Sequence, residues 1–90
     1  MKLEEEFKWD LKRLHIANVS KFIRFFRKHQ HKTLKALMDK YGQLYRKMVD
    51  FDRRRDFLTD EEKTQSVWNI NEMLVMNWIA KRKHGVSLGG

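Results

Sequence analysis

Between Leu11 and Met38 the chain carries no Asp or Glu, yet Lys12, Arg13, Lys21, Arg24, Arg27, Lys28, Lys32 and Lys35 all fall inside that span. These eight cations equal the formal net charge of +8 at pH 7, so the excess positive charge is concentrated in one region. The chemistry open to such a set is neutralisation of an anion. Ammonium and guanidinium groups one to two helical turns apart can track the phosphates of a nucleic-acid strand, which repeat every few ångströms. The candidate phosphate contacts are Arg13, Lys21, Arg24, Arg27, Lys28, Lys32 and Lys35. A solvated helix face ordinarily mixes signs; the competing readings are such a face, or a surface for an acidic protein. Phe25 borders the cations, where it either stacks on a base or packs inward.

Other chemistry is sparse. His15, His29, His31 and His84 have no i,i+4 pairing, and His29 and His31 point to different sides of a helix. With no Cys and no convergent carboxylate, a metal site is not expected. Glu4-Glu5-Glu6 and Asp60-Glu61-Glu62 sit where helices begin, and capping explains them better than acid–base catalysis does. No nucleophile triad or Gly-rich phosphate loop can be assembled. The expectation is a protein that is not an enzyme and has no cofactor.

The elements that position the cations are helical. Pro is absent, Gly occurs only four times, and 41% hydrophobic with 36% charged residues suits a globular chain. Ninety residues allow one domain with a modest core. Leu3, Phe7, Leu11 and Leu14 predict a first helix from Leu3 to about Ala17. Its stripe is out of phase with that of the next segment, which places a bend near Asn18 to Ser20, with Asn18 or Ser20 as N-cap. Ile16, Val19, Phe22, Ile23, Phe26, Leu34, Leu37, Tyr41, Leu44, Met48 and Phe51 then keep one phase, predicting a single long helix from Ser20 to about Phe57. The alternative division puts one helix from Leu3 to His29 and another from about Thr33. Thr59 and Glu62 form a capping-box pattern that opens a third helix, Asp60 to about His84, with Gly85 as its stop.

In that third helix Val67, Ile70, Leu74 and Trp78 are the expected core stripe. Trp68, Val75 and Ile79 form a second stripe, and Met73, Met76 and Ala80 lie on a third side. One neighbouring helix cannot cover so much apolar surface, so Trp68, Val75, Met76 and Ile79 are the candidate interface for a homodimer or another protein partner. Gly42 permits a different reading: Leu37 to Leu44 resembles the first helix and turn of a helix-turn-helix motif, with Met38 and Gln43 as departures from it. Leu44-Tyr45-Arg46 matches the signature tripeptide of the mitochondrial LYR-motif proteins. That family places it near the start of a three-helix domain, whereas here it is mid-chain, and no residue role is carried over.

The reading is therefore an all-α, oligomeric helical bundle: a long central amphipathic helix flanked by a shorter N-terminal helix and an antiparallel C-terminal one. Residues 1–84 form the helical domain and 85–90 a flexible tail. Its expected role is a small basic accessory protein that binds DNA, RNA or another polyanion electrostatically, without regard to sequence, through the central helix. The alternative is a structural or assembly subunit that docks in a larger complex through helix three. No apolar run is long enough to span a bilayer and no secretory signal opens the chain, so a soluble intracellular location is expected.

Overall fold

The computed structural model describes residues 2–89; Met1 and Gly90, the ends of the expected domain and tail, lie outside the described residues. The described chain is all-helical. In order it forms α1 (Leu3–Arg13), α2 (Val19–His29), α3 (Leu34–Arg53), a 3₁₀ turn (Arg55–Phe57), α4 (Asp60–Ile79) and a π-helical turn (Ala80–His84). The single long central helix expected from Ser20 to Phe57 is therefore two helices, and the bundle has four rather than three.

Both candidate breaks are real. At the first, α1 ends at Arg13 rather than near Ala17, and His15 and Asn18 take left-handed backbone angles, φ 55° and 56°. Asn tolerates that region better than most side chains. Asn18 occupies the N-cap position of α2 but makes no side-chain capping bond. At the second, Thr33 caps α3, its Oγ1 accepting from the Ala36 N–H at 3.2 Å. The intervening residues Gln30 to Thr33 number four, close to the ~3.6 residues of one helical turn. An interruption of that length returns the apolar stripe to nearly the same angle, which is why the phase runs on through the break.

Gly42 lies inside α3, and a Cβ there would meet nothing within 4 Å. This excludes a turn at Gly42 and with it the helix-turn-helix reading. α3 and α4 form an antiparallel hairpin: Arg54 reaches Glu62 at 3.0 Å, and Ser66 meets Met48 further back. The capping box at its corner is complete, with Thr59 and Glu62 each accepting the other's backbone N–H at 3.1 Å. Such a cap stabilises a helix by about 1 kcal/mol. Gly85, at φ 69°, ends the last turn in the left-handed region that Gly enters without a steric penalty. The described tail residues lie back on the bundle: the Leu88 N–H donates to Asn77 Oδ1 at 2.7 Å, and the Leu88 side chain packs on the core.

The core collects Phe7 and Leu11 from α1, Phe22, Ile23 and Phe26 from α2, Leu37 and Leu44 from α3, and Val75, Met76 and Ile79 from α4. Phe7 stacks on Phe26 at 5.0 Å, and Trp78 meets both rings edge-on. The indole N–H of Trp78 donates to Asp10 at 2.7 Å, tying α1 to α4. α4 presents a different face to this core than its periodicity suggests. Val67, Ile70 and Leu74 are exposed, whereas Asn69, Glu72, Val75, Met76 and Ile79 are buried. From Met73 onward α4 is apolar nearly all round, so apolar spacing alone does not choose its inner face. On the face that is buried, Glu72 pairs with His29 and Lys28 of α2.

Candidate nucleic-acid interface

The seven candidate phosphate contacts separate into two groups. Four are engaged within the chain. Arg13, which the first break assigns to α1, pairs with Asp10 at 3.0 Å. Arg27 holds Glu4 through Nε at 2.8 Å and a second guanidinium nitrogen at 3.3 Å, a two-pronged contact that pins α1 to α2. Lys28 pairs with Glu72 at 3.1 Å. The Lys21 ammonium lies 4.1 Å from the centre of the Trp68 ring, a cation–π contact that also covers half-buried Trp68.

The other three, Arg24, Lys32 and Lys35, have no carboxylate within ion-pair distance among the described residues. Arg24 is exposed on α2, Lys32 sits half-buried in the α2–α3 turn, and Lys35 is exposed in the first turn of α3. The Lys32 pKa is lowered, first by burial of the ammonium and then by repulsion from Lys28 and Lys40, with Glu72 opposing. Two residues therefore join this region that the acid-free run does not include. Lys40 lies just beyond Asp39, where that run stops. Lys83 donates to the Gln30 carbonyl at 2.6 Å, stabilising the carboxyl end of α2, and comes from far along the chain. Periodicity within α3 could have flagged Lys40; no local signal marks Lys83.

Beneath the cations lies a buried polar cluster. His29 is fully buried, and its Nε2 lies 2.6 Å from the Glu72 carboxylate. The hydrogen bond from His29 is the largest influence on Glu72; burial opposes it and the Lys28 contact reinforces it, leaving the Glu72 pKa at about 2. Glu72 is thus ionised at neutral pH and can only accept, so the His29 Nε2 carries the proton. A carboxylate held that low is a poor general base near neutrality, and the cluster locks α2 onto α4. Among the described residues no group of three His, Asp or Glu side chains is placed to hold a metal ion. No described helix is long and apolar enough to cross a membrane.

The candidate protein interface is placed differently. Val75, Met76 and Ile79 are core residues of this chain and cannot meet a partner without unfolding it, while Trp68 packs edge-on or tilted against Phe22 and Phe25 at 6.3 Å. Phe25, the candidate base-stacking residue, is half-buried in that contact. Comparison with protein-family models, with curated proteins and with solved structures finds no match to this chain.

Proposed function

We propose that the protein is a small, non-catalytic nucleic-acid-binding accessory protein whose contacts are electrostatic and indifferent to sequence, centred on α2 and the α2–α3 turn. The observation that carries this reading is the division among the cations. Asp10, Glu4 and Glu72 are paired with Arg13, Arg27 and Lys28. Arg24, Lys32 and Lys35 remain without such a partner among the described residues, and Lys32 is crowded by further ammonium groups. Positive charge without a paired carboxylate, on Arg24 of α2, Lys32 of the turn and Lys35 of α3, lowers its own repulsion by binding a polyanion, with release of the polyanion's counterions.

The same division revises which residues bear the binding. Arg24, Lys32 and Lys35 are the primary contacts, Lys28 and Lys40 contribute to the field, and Arg13 and Arg27 serve mainly to hold α1. A fluorescein-labelled single strand and duplex, titrated at low salt, test the reading through the combined variant Arg24→Glu, Lys32→Glu and Lys35→Glu. Binding should fall to the background of an uncharged control protein while the far-ultraviolet circular dichroism is unchanged. Full affinity in a folded triple variant would remove this surface from consideration.

A further inference from the structure

The outward face of α4 has a pattern of its own. At ~100° per residue, Asp60, Lys63, Val67, Ile70 and Leu74 share one sector of α4, opposite the buried Glu72 and Ile79, and Lys81, in the π-helical turn that follows, continues on that side. Val67 is 56% exposed, Ile70 45% and Leu74 59%. At the end of α1, Leu14 is 64% exposed and lines a shallow groove of about 200 Å³ together with Leu74, widening the apolar strip on that side. The steps from Lys63 to Val67, Ile70 and Leu74 have the 4-3-4 spacing of helix-to-helix seams. Contiguous apolar side chains of this kind are usually covered.

The charges at the two ends of the strip say by what. Asp60 stands at its amino end and Lys81 at its carboxyl end, and neither has an ion-pair partner among the described residues. The strip is therefore complementary to its own reverse. We infer that it binds a second copy of this chain, α4 against α4, antiparallel about a two-fold axis beside Ile70. Val67 then lies over the partner's Leu74, and Asp60 meets the partner's Lys81, each pair occurring twice as an isologous interface requires. A parallel pairing would set Asp60 against its own copy and Lys81 against its own, placing like charges together. This surface is the reverse of the α4 face that the periodicity suggested for docking, and it stands independently of any nucleic-acid binding.

Sedimentation equilibrium of the full chain between about 5 and about 200 µM tests it, a range suited to a contact one helix wide. The wild-type chain should pass from monomer to dimer, and Ile70→Glu should stay monomeric with unchanged helicity. Asp60→Lys alone and Lys81→Asp alone should each associate about tenfold more weakly, since each sets like charges together at two places. Mixed in equal amounts, these two variants should regain the lost affinity, because every end contact between them again joins opposite charges. A wild-type chain that remains monomeric throughout, a dimer that survives Ile70→Glu, or a mixture no tighter than its separate components would each overturn the proposal.

Discussion

α2 and α4 divide their residues in different ways. α2 follows hydropathy except at His29: Phe22, Ile23 and Phe26 are buried, Arg24, Arg27 and Lys28 face out, and His29 is buried with them. α4 departs from it further: Asn69 and Glu72 are buried beside Val75, Met76 and Ile79, while Val67, Ile70 and Leu74 are exposed. The difference shows two ways of choosing a helix's inner face. In α2 the apolar stripe is narrow, and removing it from water decides the matter. In the carboxyl-terminal half of α4 apolar residues surround the helix, so their spacing does not single out one face. There Glu72 lies on the buried face, its carboxylate met by His29 and Lys28. An unpaired buried charge is costly, whereas a hydrogen-bonded one is tolerated.

The largest expected effect bears on the two faces of α4. Ile79→Ala should lower the stability of the monomer by about 2–5 kcal/mol, because Ile79 is fully buried and its loss leaves a cavity. Ile70→Ala, made on the same helix with the same chemistry, should change monomer stability by less than ~1 kcal/mol. Urea denaturation of the two variants at dilute concentration compares them directly. Equal costs would show that the inner face is misassigned.

Next in size is the acid dependence of the α2–α4 lock. The Glu72 pKa is lowered from 4.5 to about 2, so its stabilising contribution is fully present above the ordinary carboxylate range and is lost as pH falls from about 4.5 toward about 2. A carboxylate held this low by its partners ties folding stability to its ionisation. Stability measured by denaturant between pH 7 and pH 2 should fall across that window, and Glu72→Gln should reduce that dependence while lowering stability at pH 7, with Glu4 and Glu62, whose pKa values are also lowered, supplying part of the remainder. A Gln variant with the same acid profile as the wild type would assign the lock elsewhere.

The smallest effect concerns Gly42. With helical backbone on both sides and open space at the Cβ position, Gly42→Ala should stabilise the fold by up to ~1 kcal/mol. A lowered melting temperature would contradict a continuous α3.

Much of the fold is legible where local chemistry acts. The start at Leu3, the capping box of Thr59 and Glu62, the stop at Gly85 and the bend near Asn18 all leave marks within one or two turns of sequence. The break at Gln30 to Thr33 is masked because four residues nearly restore the helical phase. The inner face of α4 is illegible for a different reason, since the residues that Glu72 meets there lie 43 and 44 positions away. The candidate site divides likewise. Its cations are visible as an acid-free run, but which of them remain available is not, because Arg27 finds Glu4 only after α1 has folded back on α2.

The salt dependence of nucleic-acid binding tests the central claim most directly. Three phosphate contacts, one each from Arg24, Lys32 and Lys35, predict a slope of about −2.7 in log affinity against log salt, or about a 40-fold loss between 50 and 200 mM. Engagement of all seven candidate cations would raise that loss to ~10³-fold or more. The slope should be at or steeper than the three-contact value and shared by unrelated sequences, and the triple Glu variant should show no salt-dependent binding above background. A flat salt profile, or a slope that the triple variant leaves unchanged, would contradict electrostatic binding through this surface.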